Sequence, residues 1–487
     1  MSLRRRVLCL IGVVGVLGLT TAAALAAGGV RWGSAIEVPG TTALGPGGDM
    51  SSVSCGSAGN CAAVGTYVDG SNNVEAFVVD EKNGAWGDAV EVPGTAALNV
   101  DERANGSSVA CASAGNCAAV GSYTDASDTI QVFVADERNG VWGDAVEMPG
   151  TAALNVGGRA DVSSVSCASA GNCAAGGFYT DGSGGRQAFL ADEVGGVWSS
   201  AIEVPGSAAL NTLSRDIGAG VSSISCRSTG NCTAGGNYEA ASTGEQPFVV
   251  DEKDGVWGTA RPVRGTASIN TNYEGRVNAV SCSSDGNCVA GGSYTPKHYN
   301  RGRQTAFVVT EKNGVWGKPI DVPRIANPDW YAATVLAVSC ASVGNCAAGG
   351  SYEDVNFGWH AFVVAEKRGV WRAAVKVPGT IGGRSDGTDP LRANAAVTSI
   401  SCASAGHCLI GGYTNQKPRT TKAFVETEKA DGSWGTAVQV PGTAALALGY
   451  AHVAFVASVS CVRTGKCVAA GTYDDAGVNT HPFVTTP

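Results

Sequence analysis

Charged residues are scarce in this chain of 487 residues, and basic residues are fewer than acidic ones. Asp, Glu, Lys and Arg make up 15% of the sequence, against about 25% in typical soluble domains. The 33 basic residues face 42 acidic ones, which gives a formal net charge of −9. Nucleic-acid binding requires clustered Lys and Arg to neutralise phosphates. The composition therefore predicts no nucleic-acid partner.

Common catalytic and metal-binding motifs are also missing. The sequence contains no His-Glu-x-x-His pair and no phosphate-binding loop. Its five histidines are scattered, and no two have metal-ligand spacing. We therefore predict no metal and no cofactor, and a binding role is favoured over an enzymatic one.

The one long apolar run lies at the N-terminus. Three arginines, Arg4 to Arg6, precede an apolar stretch over 7–19, and small residues follow to Ala27. This order is typical of a secretory signal peptide, and a membrane anchor is the alternative. We predict a signal peptide over 1–27 and a single exported, extracellular domain over 28–487, with no membrane span after cleavage.

One repeat fills the rest of the sequence. A segment like SVSCGSAGNCAAVGTY occurs eight times, each with a Cys-x5-Cys pair, and a segment like AFVVDEKNGAWGDAVEVPG follows it. The pairs are Cys55 and Cys61, Cys111 and Cys117, Cys167 and Cys173, Cys226 and Cys232, Cys282 and Cys288, Cys340 and Cys346, Cys402 and Cys408, and Cys461 and Cys467. A repeat of this length must bury its apolar face against copies of itself.

Each repeat is interpreted as four short antiparallel strands, which are named a, b, c and d in chain order. Apolar residues alternate with polar ones in short segments, and each segment is bounded by Gly, Asn or Pro. Four strands in each of eight units predict an all-β, eight-bladed β-propeller. The sequence after residue 27 begins with strand d alone, at Trp32, and ends with strand c alone, at Phe483. We expect the N-terminal strand to complete the last blade, whereas an open solenoid would leave both edges unpaired.

Each cysteine pair lies between the end of strand a and the start of strand b. Directly opposed residues of a hairpin have a separation that suits a disulfide. Zinc is the alternative, but it needs four converging ligands. In an exported protein we predict one disulfide hairpin per blade.

Two resemblances follow from these motifs. Asp80, Asn83, Gly84 and Trp86 resemble the turn before the docking Trp of quinoprotein-type propeller repeats, which implies a packing role for the Trp. The unit S-[VI]-S-C-x5-C-x-A-[VG]-G-x-Y, followed by Gly-x-Trp, is similar to secreted actinobacterial cysteine-hairpin repeat proteins, for example over 164–179 and 196–198. The second resemblance covers nearly the whole chain after residue 27 and implies a structural unit without an assigned activity.

The two faces of the predicted ring differ. The a–b and c–d turns share one face, the hairpin face, and are nearly uniform; the b–c loops and d–a connections share the other, the loop face, and vary. Repeated Asp-Glu pairs such as Asp80 and Glu81 lie on the hairpin face and are interpreted as solvated turn residues. Arginines in the d–a connections, such as Arg276, have acidic neighbours in the sequence, which favours local ion pairs over a ligand site.

Aromatic residues outside the repeat pattern concentrate in loops of blades five and six. Exposed aromatics with hydrogen-bonding neighbours suit sugars or protein surfaces, and packing inside the loops is the alternative. The candidate ligand-binding residues are Tyr299, Arg301, Arg303, Trp330, Tyr331, Phe357, Trp359 and His360. We predict a monomeric extracellular module that binds a glycan or a protein, with a carbohydrate-active hydrolase or lyase as the alternative.

Overall fold

Eight four-stranded antiparallel blades form a closed ring in the computed structural model. The structure describes residues 31–100, 103–213, 218–266, 270–296, 304–322, 330–354, 358–380, 394–417, 420–429, 431–449, 453–462 and 466–487. Strand a of each blade contacts strand a of the next blade, so the a strands surround the axis. The predicted fold class is confirmed.

Strands a, b and c are continuous in every blade. The a strands are Gly47–Ser57, Ala104–Ser113, Ala160–Ser169, Gly220–Ser228, Asn270–Ser284, Trp330–Ser342, Ala395–Ser404 and Ala454–Cys461. The b strands are Asn60–Val68, Asn116–Thr124, Asn172–Thr180, Asn231–Ala240, Asn287–Pro296, Asn345–Asp354, His407–Lys417 and Cys467–Asp474. The c strands are Val74–Lys82, Ile130–Arg138, Arg186–Val194, Gly244–Lys253, Thr305–Lys312, Trp359–Lys367, Thr420–Thr427 and Thr480–Thr485.

The outer strand d is interrupted, which the sequence did not predict. In blades one to six it consists of two short pieces that both pair with strand c. The pieces are Ala85–Trp86 and Val90–Glu91, Val141–Trp142 and Val146–Glu147, Val197–Trp198 and Ile202–Glu203, Val256–Trp257 and Arg261–Pro262, Val315–Trp316 and Ile320–Asp321, and Val370–Trp371 and Val375–Lys376; the seventh blade has Val438–Gln439 and the eighth Ile36–Glu37. Between the two pieces of blade one, the Ala89 N–H donates to Pro39 O of the preceding blade at 2.7 Å.

Ring closure at the chain termini is confirmed. Ile36 pairs with Val484 and Glu37 with Phe483, so the N-terminal strand completes blade eight. Blade eight also packs on blade one, because Val468 and Val484 share a core cluster with Phe77. Neither edge of the chain is left as a free strand at this seam.

The repeated Ser-x-Ser-Cys segment holds neighbouring blades together near the axis. A serine hydroxyl of one blade accepts a hydrogen bond from a backbone N–H in strand a of the next. The Cys111 N–H donates to Ser54 Oγ at 2.9 Å, and at the seam the Cys55 N–H donates to Ser460 Oγ at 3.0 Å. The motif therefore has an interblade role that adds to its place in the hairpin.

The core of each blade contains one phenylalanine from strand c. The eight are fully or almost fully buried: Phe77, Phe133, Phe189, Phe248, Phe307, Phe362, Phe424 and Phe483. Gly65 of strand b faces Phe77 in register. A Cβ there would lie 2.7 Å from the Phe77 ring and 2.1 Å from the Asp49 carbonyl oxygen of strand a. Glycine in the G-x-Y segment is thus required by the close approach of strand a and the ring.

The eight predicted disulfides are all confirmed. In each blade the two cysteines are paired in register across the a–b hairpin, as are Cys55 and Cys61. The other bridges join the remaining seven predicted pairs. Each bridge ties two positions that are six residues apart, so it constrains a short loop.

A short helical turn follows strand d in five described connections. The turns are Thr41–Leu44, Thr95–Leu98, Thr151–Leu154, Ser207–Leu210 and Thr443–Leu446. The Thr95 hydroxyl donates to Val92 O at 2.7 Å, and Gly94 enters the turn with a φ of 83°. Four residues are too few to show a helical period, which explains why the sequence did not predict these turns.

Candidate functional site

The loop face is the place where side chains differ from blade to blade. The b–c loops and the d–a connections meet on this face. Asn99 lies in a d–a connection, directly after its helical turn, and its side-chain amide donates to Glu75 Oε2 at 2.9 Å. Glu75 is at the start of strand c, where the b–c loop ends. The hairpin face is opposite, where the Gly84 N–H donates to Gly59 O at 2.8 Å. The predicted arrangement of the two faces is confirmed.

Four of the eight predicted ligand-binding residues lie outside the described residues. They are Tyr299, Arg301, Arg303 and Phe357. Trp330 and Tyr331 begin strand a of blade six, and the backbone register places Trp330 opposite Asp354. Trp359 begins strand c and is opposite Glu353. The structure therefore brings Trp330 and Trp359 to the same end of one blade.

His360 is packed inside blade six. The residue is 6% exposed. Its Nε2 atom lies 2.9 Å from Asp354 Oδ2, and its ring stacks on Tyr352 with 5.0 Å between ring centroids. Its Nδ1 atom is buried and has no partner among the described residues. These contacts fix the b–c loop to strand c; a contact of His360 with a ligand stays a prediction.

A cluster of charged side chains from blades three to five lies on the loop face near the axis. The sequence did not predict that these side chains form one cluster. Arg276, in strand a of blade five, places Nη2 3.1 Å from Glu245 Oε1 in blade four. The Arg276 side chain is about half exposed, at 51%, while that of Glu245 is only 2% exposed. The prediction of a local ion pair with the neighbouring Glu274 is wrong for this arginine, because its carboxylate partner, Glu245, comes from another blade.

Arg186 extends this group into blade three. Its guanidinium carbon lies 3.5 Å above the centre of the Phe178 ring, which is the geometry of a cation–π contact. Gly220 of blade four leaves room for it, because a Cβ there would lie 3.1 Å from Arg186 Nη2. The Nε atom is buried without a hydrogen-bond partner among the described residues. We call Asp161, Arg186, Glu245 and Arg276 the axial cluster.

The charges of the axial cluster act on one another. Burial raises the pKa of Asp161, and a hydrogen bond from Ser122 and the positive charge of Arg186 oppose that rise. Burial also raises the pKa of Glu245, and Arg276 opposes it. Positive and negative groups are thus held side by side near the axis, with one guanidinium half open to solvent.

The interpretation of the hairpin-face acidic pairs as solvated turn residues is wrong for the glutamates. Strand c continues to Lys82, so alternation along the strand turns Glu81 inward. The inward glutamates are between 2% and 8% exposed: Glu81, Glu137, Glu193, Glu252, Glu311, Glu366 and Glu428. Burial, followed by the charge of Asp192 in the preceding blade, raises the pKa of Glu252 to about 7.

The aspartates of these pairs bind the tryptophan of the next blade. Trp142 Nε1 donates to Asp80 Oδ1 at 3.0 Å, and Trp316 Nε1 donates to Asp251 Oδ2 at 3.0 Å. The docking role predicted for the Trp is therefore confirmed, and the contact is between blades. The Asp-Glu pairs therefore contribute to the packing between blades at most junctions.

Two kinds of feature are absent from the described residues. Among them, no group of three or more His, Cys, Asp or Glu is placed to hold a metal ion. No helix in the described ranges is long and apolar enough to cross a membrane.

Comparisons with known proteins give similarity at the level of solved structures alone. No family model matches the chain, and no curated protein matches it. The chain is similar to a polysaccharide lyase of family PL25, an ulvan lyase, at 12% identity over 85% of this chain and 96% of that one, with a TM-score of 0.43. A protein of unknown function from Dyadobacter fermentans has 9% identity, 94% and 99% coverage and a TM-score of 0.38.

A Hadza microbial sialidase has 12% identity over 85% of this chain and 72% of its own, with a TM-score of 0.34. Identities and TM-scores this low carry no argument about activity, so the site has to be judged from its own residues.

Proposed function

We propose that this protein is an extracellular binding module that recognises a glycan on its loop face. The observation that carries the proposal is the axial cluster, in which a half-exposed Arg276 guanidinium is held by the buried Glu245 carboxylate at 3.1 Å. A guanidinium fixed in this way can donate hydrogen bonds to sugar hydroxyl or carboxylate oxygens without first losing much conformational freedom.

The aromatic residues of blade six extend the proposed surface. Trp359 is half-buried at the start of strand c, and Trp330 starts strand a of the same blade. Aromatic rings offer an apolar face to the C–H face of a sugar ring. Together with Tyr299, Arg301, Arg303, Tyr331, Phe357 and His360, they remain the proposed outer part of the ligand site.

Export of the protein agrees with its disulfide content. Eight bridges, one in each blade, are compatible with an extracellular protein, because disulfides persist in oxidising compartments. A ligand in that environment is expected to be a cell-wall or matrix polymer. Removal of residues 1–27 as a signal peptide forms part of the proposal.

Retention on immobilised polysaccharides tests the proposal. We expect the protein to be retained on at least one member of a panel of neutral and acidic glycans, and Arg276→Ala to lower the affinity at least about tenfold, as loss of a charge-assisted hydrogen bond implies. Arg372→Ala is the matched control, because Arg372 is exposed on the outer strand region of blade six. No retention on any glycan, or equal loss in both variants, would contradict the proposal.

A hydrolase or lyase acting on polysaccharide is the second candidate. Asp161 favours it, because burial raises the pKa of this carboxyl although Arg186 and Arg159 oppose the rise, and a raised pKa suits a carboxyl for general acid catalysis. Release of oligosaccharide from the same panel, abolished by Asp161→Asn, would support catalysis. Retention without any release would leave binding as the function.

A further inference from the structure

Arg186 differs from the other arginines that the structure describes, because it is partly buried whereas all of the others are exposed. Its Nε atom is also the one arginine nitrogen among the described residues that is buried without a hydrogen-bond partner. Arg186 takes part in none of the ion pairs formed there. Asp161 acts on it through its charge, but the hydrogen bonds to Asp161 come from the Val162 N–H and the Ser122 hydroxyl. Since a buried cation is normally paired, Arg186 lacks a directly bonded counter-charge.

The residues around Arg186 depart together from the repeat. Arg186 begins strand c of blade three, at the position that Ile130 fills in blade two. Phe178, which contacts the guanidinium, is at the position of Ser122 in blade two. Among the eight blades, only blade three combines an aromatic residue and an arginine at these two positions. Gly220 of blade four leaves the space beside Nη2, so three neighbouring positions contribute to one arrangement.

The Phe178 ring holds the guanidinium without using its hydrogen-bond donors. Phe178 is 8% exposed, and the guanidinium carbon of Arg186 is 3.5 Å from the centre of its ring. At this distance the ring contacts the flat face of the guanidinium, whereas the N–H donors point outward in the guanidinium plane. An arginine fixed in this way loses little conformational freedom when it binds a ligand.

The charges near Arg186 add up to a positive group. Burial lowers the pKa of Arg186, and four charged side chains act on it: Asp161, Arg159, Glu245 and Arg276. With Arg186 included, three guanidinium groups face two carboxylates, and Glu245 already pairs with Arg276. The exposed Glu274 accepts a hydrogen bond from Gln304 and is not among the groups that act on Arg186. The cluster is thus a local positive site in a chain whose formal net charge is −9.

We propose that Arg186 and Arg276 form an anion subsite on the loop face, and that it binds a carboxylate or sulfate group of an acidic polysaccharide. This inference rests on the proposed glycan-binding function and names the class of glycan. Arg186 supplies the more buried guanidinium and Arg276 the more exposed one. Guanidinium groups bind such oxyanions with two parallel hydrogen bonds. An anion gives Arg186 the counter-charge that it lacks, whereas a neutral sugar leaves it unpaired.

Equilibrium binding to matched polysaccharides tests the proposal. The probes are hyaluronan, polygalacturonate and chondroitin sulfate, each measured beside its carboxyl-reduced form, and chondroitin sulfate also beside its desulfated form. At physiological salt we expect saturable binding to at least one acidic polymer and an affinity at least about tenfold lower for its neutralised form. Loss of affinity on carboxyl reduction would identify a carboxylate as the bound group, and loss on desulfation a sulfate.

Variants locate the binding. Arg186→Ile should lower the affinity for the acidic polymer at least about tenfold and leave the affinity for its neutralised form unchanged. If this variant unfolds at a lower temperature, the double change Phe178→Ser with Arg186→Ile gives blade three the pair Ser122 and Ile130 of blade two and should keep the fold. Arg103→Ala is the matched control, because Arg103 is an exposed arginine that precedes strand a of blade two on the same face.

The outcomes separate this inference from the function on which it rests. Equal affinity for acidic and neutralised polymers, unchanged affinity in Arg186→Ile, or an equal loss in Arg103→Ala would overturn the anion subsite. Binding to neutral polymers alone would also overturn it, and would leave the glycan-binding module in place. Absence of binding to every polymer, charged or neutral, would contradict the proposed function as well.

Discussion

Replacing Glu252 by glutamine is expected to stabilise the ring at alkaline pH and to leave it nearly unchanged at acid pH. Glu252 is 6% exposed, and burial together with the Asp192 charge raises its pKa from 4.5 to about 7. The folded state therefore holds a proton that the unfolded chain has released between these two values. Stability from this group is fully present below pH 4.5 and is lost as pH rises through about 7.

The size of the effect follows from the pKa difference. One pKa unit corresponds to about 1.4 kcal/mol, so ionisation of Glu252 costs the folded state up to about 3 kcal/mol at pH 9. A glutamine carries no charge and avoids that cost. It can still accept the hydrogen bond that the Cys232 backbone N–H gives to this side chain. Among the described residues no cation faces Glu252. Val194 of blade three occupies the position from which Lys82 faces Glu137 and Arg138 faces Glu193 at other junctions.

Urea unfolding at a series of pH values, with the disulfides intact, measures this difference. We expect the wild-type and Glu252→Gln curves to coincide below pH 4.5, to separate as the pH rises towards 7, and the variant to unfold at clearly higher urea from pH 8 upward. Asp88→Asn, a change at an exposed carboxylate of blade one, serves as the control and should not alter the pH dependence. A constant gap between wild type and Glu252→Gln at all pH values would refute the assignment of the proton to this group.

Two further predictions concern the contacts between blades. Ser460→Ala removes the acceptor for the Cys55 N–H at the seam between blades eight and one and should lower the free energy of unfolding by about 1 kcal/mol. Ser54→Ala, between blades one and two, should cause the same loss. If Ser460→Ala left the free energy of unfolding unchanged, the ring would be open at the seam. Gly94→Ala forces a side chain onto a residue with a φ of 83° and puts its Cβ 2.9 Å from the Ala145 nitrogen of the next blade, so we expect about 2 kcal/mol of destabilisation in thermal unfolding. Gly70→Ala, with open space around its Cβ position, should cost far less, and equal costs would show that the interblade contact of Gly94 is unimportant.

The sequence predicted the blade number, the ring closure and the disulfides because each of these signals occurs in every repeat. Eight copies of Cys-x5-Cys and of the phenylalanine in strand c average out local irregularities, and the unpaired strands at Trp32 and Phe483 indicate where the ring closes. The interruption of strand d left no comparable signal in the sequence. The break in strand d comes from the Ala89 hydrogen bond to Pro39, which belongs to another blade.

The burial of the glutamates and the partner of Arg276 could not be predicted for a similar reason. The turn-like Asp-Glu-Lys-Asn-Gly sequence gives no indication that strand c continues to Lys82, and only this continuation turns Glu81 inward. Arg276 has Glu274 two residues away in the sequence, yet its carboxylate partner is Glu245 of the preceding blade. Contacts between blades depend on how the ring packs, and they cannot be predicted from the residues that are adjacent in the sequence.

The seam between blades eight and one is well formed near the axis and on its outer side. Ser458 and Ser460 accept hydrogen bonds from blade one as their counterparts do elsewhere, and Ala89 donates to Pro39 as Ala145 donates to Pro93. The hairpin-face layer differs in one contact, because Trp86 Nε1 is buried without a hydrogen-bond partner among the described residues, whereas Trp142 Nε1 donates to Asp80. General loosening at the chain ends would weaken all three layers. The unsatisfied Trp86 Nε1 follows instead from a single change in the repeat, because Thr486 stands at the position that Asp80 occupies in blade one.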